Sequence, residues 1–346
     1  MSSPPSSTIS AVTPLWAVEG GRLTISGSGF SVDPDLPEVK LGDVGARLSQ
    51  ASSRRLTAIV PPGLDGGRTS VRLTSAPGGT AFVEIGAPLA TGLHLVDNPA
   101  FDRRGNLYVT FSGSRGQQAP VSIYVVRGHG SREPFVADLP NPTSLAFDDE
   151  GRLHVSSRFD GSVHCVASDG SVTTVATDLG VACGIAFGPD GDLFVGDRSG
   201  SLLRVRDSKA TLFASIPPSV AAFHLAFGPD GFLYVSAPTL SSHDPVYRVS
   251  PAGDVEEFCD GFGRPQGLAF DSEGYLYVVD SLAGGGGVYR LRTDRPSTPE
   301  QVVAGGGLVG LAFDPRGGLV LASSDTVYRL DVPITGYFTA GRSVAR

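Results

Sequence analysis

Asp97, Asp197 and Asp280 lie far apart along the chain, yet each stands at the end of a short apolar run. Asp97 opens Asp97-Asn-Pro-Ala-Phe101, while Asp197 closes Leu193-Phe-Val-Gly-Asp197 and Asp280 closes Leu276-Tyr-Val-Val-Asp280. If these runs converge on one axis, three carboxylates share a rim, and like charges that close repel unless a cation or another group pairs with them. Carboxylate oxygens are what a hard cation such as calcium takes, and zinc accepts them too. A cation there would polarise a carbonyl and lower the pKa of a bound water, the chemistry of metal-assisted hydrolysis. Asp280 and Asp197 are the candidates to activate that water. Thr143, Arg158, Arg198 and His224 flank equivalent run ends and are candidates to hold a substrate.

Each of these residues also has a plainer role. Asp197 precedes Arg198 and could pair with it or cap a turn. Asp97-Asn98-Pro99 has the makings of an Asx turn opening a strand. His224 could be a satisfied core histidine. The other histidines, His94, His129, His154, His164 and His243, show no ligand spacing. Cys165, Cys183 and Cys259 are odd in number and widely spaced, which writes neither a disulfide framework nor a zinc knuckle. Cys183 has no histidine at a nearby aligned position to activate it as a nucleophile. The glycine run 284–287 lacks the Lys-Ser/Thr and helix of a phosphate cradle.

What would gather these residues is a repeat. A unit of small residues, Ala-Phe, an acidic or Gly-Pro turn, Gly, then Leu-aromatic-Val recurs six times. Examples are Ser144-Leu-Ala-Phe-Asp-Asp-Glu-Gly-Arg-Leu-His-Val155 and Gly267-Leu-Ala-Phe-Asp-Ser-Glu-Gly-Tyr-Leu-Tyr-Val278. The turn glycines are Gly105, Gly151, Gly191, Gly231, Gly274 and Gly317. Each unit reads as four antiparallel strands. Leu-Ala-Phe is the first, the Gly turn returns the second, and apolar runs such as Ile123–Val126 and Val327–Leu330 form the third. Segments such as Phe135–Leu139 and Val175–Leu179 form the fourth. A period of ~40–50 residues with four strands per unit is the signature of a β-propeller. The last unit lacks an obvious fourth strand. Ala90–Phe101 aligns without gaps on Ala176–Phe187, so residues near Gly86–Thr91 are expected to close the ring, with Ile334–Ala340 as the rival.

Upstream, about six short alternating strands, among them Leu23–Phe30, Leu56–Pro62 and Gly78–Ile85, describe a small β-sandwich. Their order over residues 8–86 resembles the IPT/TIG (immunoglobulin-like) domain family, whose members mediate contacts or act as spacers. The repeat over residues 88–332 resembles the NHL repeats and the overlapping senescence-marker-protein/gluconolactonase family. The expected fold is therefore all-β: an immunoglobulin-like sandwich (8–86), a six-bladed β-propeller (87–335) and a tail (336–346).

The gluconolactonase-type members hold a divalent cation, commonly calcium or zinc, over the channel and open sugar or aromatic lactones. That resemblance implies a metal set of Asp97, Gln266 and Asp280. Asp97 is one methylene shorter than the family's glutamate, Gln266 is one longer than its asparagine, and Asp280 matches its catalytic aspartate. Thr143 replaces a further asparagine near the metal. The NHL-type members instead bind partners. The expected functions are thus metal-dependent lactone hydrolysis or, alternatively, non-enzymatic binding of a protein or carbohydrate, with the N-terminal domain as spacer or docking module.

Composition narrows the field. The 346 residues include 46 Gly and 26 Pro alongside 40% apolar residues, which suits strands and tight turns and argues against disorder. A net charge of −8 is not the footprint of a nucleic-acid binder. No apolar run approaches the ~18 residues of a membrane span. The start, Met-Ser-Ser-Pro-Pro, lacks a signal-peptide pattern, so a cytoplasmic location is expected. A chain whose signal had been removed would be extracytoplasmic.

Overall fold

A computed structural model describes residues 7–33, 35–74, 76–117, 119–127, 130–282, 285–295 and 297–338. Met1 to Ser6, His129, Gly284 and the tail beyond residue 338 lie outside the described residues. The described residues form strands, turns and loops without a helix, so none could cross a membrane as one.

The N-terminal domain folds as a sandwich. Thr8–Thr13, Arg22–Ser28, Arg55–Ile59 and Val44–Ala51 pair in that order, and Val39–Leu41, Gly67–Leu73 and Ala76–Ile85 continue the ladder. Leu23, Ile25, Leu41, Leu56, Ala58 and Val71 fill the space between its faces. The domain is welded to the rest of the chain. Trp16–Ala17 runs parallel between Glu84–Ile85 on one side and Val303–Ala304 on the other. Val18 N–H donates to the Ala304 carbonyl at 2.8 Å, and its side chain packs, fully buried, with Val303, Leu308 and Leu330. At the domain junction, Gly86 N–H donates to Ala17 O at 2.8 Å, and a Cβ on Gly86 would meet Val18 at the same distance. Strand pairing therefore joins the sandwich directly to the strands that follow it.

The remainder is a β-propeller. Five free-standing four-stranded sheets surround a channel, and a further antiparallel run, Pro265–Phe270, Tyr275–Asp280, Gly287–Arg292 and Glu300–Ala304, continues through Trp16–Ala17 into the sandwich. Ala87–Ala90 pairs with Val327–Leu330 and closes the ring, as the alignment of Ala90–Phe101 suggested. The rival segment instead lies against the inner strand Pro265–Phe270: Tyr337 N–H donates to Phe270 O at 2.8 Å, and Gly336 bridges Asp271. The fourth strands end earlier than expected, at Val136 and Ala176. Asp138 and Asp178 take φ of 59° and 60°, a left-handed conformation that stops a strand.

The repeat has a physical cause. The aromatic residue of each Leu-aromatic-Val stands edge-on against the phenylalanine of the next Leu-Ala-Phe. Tyr108 meets Phe147 at 5.3 Å, His154 meets Phe187 at 4.9 Å, Phe194 meets Phe227 at 5.0 Å, Tyr234 meets Phe270 at 5.0 Å and Tyr277 meets Phe313 at 5.1 Å. Each such pair stabilises the joint by about 0.5–1.5 kcal/mol beyond its buried area. The Asp-x-x-Gly turns recur because the Asp carboxylate accepts the backbone N–H groups just after it, as Asp271 does from Glu273 and Tyr275 at 3.0 and 2.8 Å. The turn Gly then has positive φ, 83° at Gly274.

His154 makes this interblade core sensitive to acid. Its ring is buried, with Nε2 3.0 Å from Asp148 Oδ2, and burial holds its pKa below the ordinary 6.5. Burial lowers His94 and His164 as well. The unfolded chain therefore binds more protons as pH falls below about 6.5, and stability declines there with falling pH. Thermal denaturation should give a level midpoint above pH 7 and a declining one from 6.5 downward. His154→Tyr, the residue found at this position in three other units, should flatten the slope; an unchanged slope would show that His154 does not carry it.

Candidate functional site

Antiparallel pairing puts the first residues of the inner strands beside the last residues of their neighbours. Ala182 pairs with Asp197, His224 with Ser236 and Pro265 with Asp280, so the expected ring of residues exists at one mouth of the channel. Their side chains divide into three groups.

The first group faces its own loops. Asp280 Oδ2 accepts the N–H of Gly263 at 2.9 Å, and Oδ1 accepts those of Arg264 at 2.8 Å and Leu282 at 3.0 Å. Asp197 does the equivalent, accepting Val181 N–H at 2.7 Å on Oδ1 and the Ser199 hydroxyl on Oδ2. Thr143 is buried and its hydroxyl donates to Asn141 O at 3.0 Å. Asp197 and Arg198 form no ion pair among the described residues, since Arg198 Nη2 donates to Val220 O at 2.9 Å.

The second group is a buried chain across the channel mouth. Asp97 Oδ1 lies 2.5 Å from His224 Nδ1 and accepts the Asn98 N–H at 2.6 Å. His224 Nε2 lies 3.0 Å from Gln266 Oε1, and Gln266 Nε2 donates to Ser281 Oγ at 3.3 Å. His224 is wholly buried and Asp97 is 3% exposed. With Nδ1–H on Asp97, a neutral ring would accept at Nε2 from the amide NH2 of Gln266, and a doubly protonated ring would donate to its Oε1.

Asn98, whose role its sequence context does not single out, ties inner strands together next to this chain. Its Nδ2 donates to Leu268 O at 3.0 Å and its Oδ1 accepts Leu311 N–H at 2.9 Å, bridging two inner strands. Gly310 makes room for it: a Cβ there would come within 2.7 Å of Asn98 Cα and 2.8 Å of the Asp97 carbonyl. Below Asn98, the Leu-Ala-Phe strands line an open, largely apolar cavity of about 460 Å³, to which Tyr337 and Phe338 also contribute.

The third group is basic. Arg158 is half-buried, and its Nη2 donates to Gly113 O at 2.9 Å. Burial lowers its pKa, and Arg198 and Arg115 lower it further. Cys183 lies within electrostatic reach of both Arg158 and Arg198, but burial pushes its thiol up to about 12, so no thiolate nucleophile is available. Asn141, a second residue missed from sequence, holds the loop beside Arg158. Its Nδ2 donates to Ser112 O at 2.5 Å and Ser114 O at 2.8 Å, and its Oδ1 accepts Gly116 N–H at 2.7 Å.

Asp97, Gln266 and Asp280, the set expected to hold calcium or zinc, do not fit a divalent cation in this arrangement. His224 stands between the first two, and backbone N–H groups take both oxygens of the third. Among the described residues, no three His, Cys, Asp or Glu side chains are grouped so as to hold a metal ion.

Comparison with known proteins agrees with the architecture. Residues 7–83 match the IPT/TIG domain family. No curated protein matches the chain. Among solved structures, a provisionally assigned gluconolactonase is similar at TM-score 0.59 and 19% identity, over 72% of this chain and 93% of that one. Virginiamycin B lyase from Staphylococcus aureus matches at 0.54 and 15%, over 70% and 95%. An auxiliary nutrient binding protein from Bacteroides ovatus matches at 0.53 and 13%, over 97% and 99%. At these identities the likeness is one of fold.

Proposed function

We propose that this chain is a ligand-binding propeller whose upper mouth recognises a small soluble molecule without turning it over. The ring is six-bladed when the run fused to the sandwich is counted, and the N-terminal TIG domain braces it. The observation that carries this reading is the commitment of the rim carboxylates. Asp280 and Asp197 each accept on both oxygens from their own loops, and Asp97 Oδ1 is held by His224 and the Asn98 N–H. A general base needs a lone pair within reach of the water it activates, and a cation site needs several convergent oxygens. Metal-dependent lactone hydrolysis by Asp280 or Asp197 through a cation on Asp97, Gln266 and Asp280 has less support for that reason. The match of nearly the whole chain to a nutrient-binding protein is consistent with the binding reading.

The test is turnover. Incubated with a sugar lactone and an aryl lactone, with and without calcium, zinc or manganese, the protein should leave the rate of ring opening at the buffer value. Acceleration that needs one of these ions and disappears with a chelator would overturn the proposal.

A further inference from the structure

Six buried side-chain nitrogen or oxygen atoms among the described residues have no hydrogen-bond partner, and four of them belong to one sector of the upper mouth: His94 Nδ1, Ser112 Oγ, Arg158 Nε and Arg198 Nε. Unpartnered buried polar atoms are rare in a settled fold and ask for an explanation. These four are neighbours in structure. Ser112 N–H donates to His94 O at 2.9 Å, Arg158 reaches over to Gly113, and Arg158 lies within electrostatic reach of both His94 and Arg198.

Charge is unbalanced at the same place. Arg152, Arg204, Arg290, Arg316 and Arg329 each have a carboxylate within ion-pair distance. No such pair joins a carboxylate to Arg158 or Arg198 among the described residues, although acidic side chains outnumber basic ones by 35 to 27. Two half-buried cations held near each other without a counter-charge destabilise the fold unless something else supplies the negative charge. Each guanidinium is tied at one end, with Nη2 on a backbone carbonyl, so its direction is fixed while Nε–H lacks an acceptor.

We propose that the mouth between Arg158 and Arg198 binds an oxyanion, the carboxylate or phosphate group of a small soluble ligand, with the two guanidiniums and the Ser112 hydroxyl as donors. Guanidinium forks match both groups, and charge-assisted bonds of this kind are about twice as strong as neutral ones. The assignment rests on the ligand-binding reading and gives that ligand its chemistry.

Inorganic phosphate, galacturonate and neutral galactose, titrated into the full chain at low ionic strength, provide the test by calorimetry and by the shift in Tm. Phosphate or galacturonate is expected to bind, and which of them binds identifies the group. Added sodium chloride should weaken that binding. Arg158→Gln and Arg198→Gln should each reduce it ten-fold or more, while Tm without ligand stays level or rises as one of two repelling cations is removed. The salt dependence of the wild-type chain keeps the test decisive if either variant fails to fold. Failure of both anions to bind, or binding indifferent to salt and to both substitutions, would overturn the assignment. Galactose binding as tightly as galacturonate, with neither arginine involved, would overturn it too but leave the ligand-binding reading standing. Ion-dependent lactone turnover removes only that reading; arginine-dependent phosphate binding would survive it.

Discussion

His224→Ala is expected to cost about 3–5 kcal/mol of folding stability, the range for leaving a buried carboxylate without its partner. Asp97 is 3% exposed, and without the imidazole its carboxylate keeps only the Asn98 N–H as a hydrogen-bond donor. The lost ring also leaves a hole, because His224 is wholly buried. At about 2–4 °C per kcal/mol for a unit of this size, the midpoint should fall by roughly 10 °C. The double variant Asp97→Asn/His224→Gln removes the buried carboxylate together with its partner and should recover at least half of the loss. Urea denaturation of the two singles and the double measures the coupling directly. A loss below ~1 kcal/mol for His224→Ala, well under the range for a buried pair, would show that the chain across the mouth is not holding the ring.

Asp280→Ala is the second large effect. Three N–H groups, those of Gly263, Arg264 and Leu282, lose their acceptor at once. A buried donor left without a partner costs about 1–3 kcal/mol, and since the loop can admit water at its outer end, about 3 kcal/mol is expected for the set. Asp280→Asn keeps one acceptor oxygen and should fall between the two. This ordering separates a structural aspartate from a catalytic one. A carboxylate whose work is to hold a metal or activate water is removed with little harm to the fold, and often with a gain.

Much of the architecture was legible because it is written in backbone requirements. The turn glycines must take positive φ, the Leu-Ala-Phe and Leu-aromatic-Val pairs must meet across neighbouring sheets, and the gapless alignment of Ala90–Phe101 on Ala176–Phe187 marked the closing strand. Membership of the rim was legible for the same reason, since ladder pairing decides which strand ends meet. The direction of the rim side chains was not. Asp280 is the last pair of its ladder, opposite Pro265, and an irregularity separates that pair from Leu268–Val278. The two-residue alternation therefore no longer aims its side chain, and nothing in Tyr-Val-Val-Asp280 says that its carboxylate turns back to Gly263 and Arg264. The role of Asn98 needed three dimensions, since Leu268 and Leu311 are remote in sequence, although the small residue at Gly310 was its trace. Trp16–Ala17 is too short to announce a strand, and it acquires its meaning only from the two edges it joins.

The most direct test of the account is a matched pair of thermal denaturation curves, wild type and Asp280→Ala, recorded in chelator and again with calcium, zinc or manganese in excess. A ligand that binds the folded state raises its midpoint. If Asp280 serves its loop, the gap between the two proteins is the same in every condition and neither midpoint moves with the ions. A wild-type midpoint that climbs with one of the ions, while that of Asp280→Ala stays where it was, would contradict the account and return Asp280 to a metal.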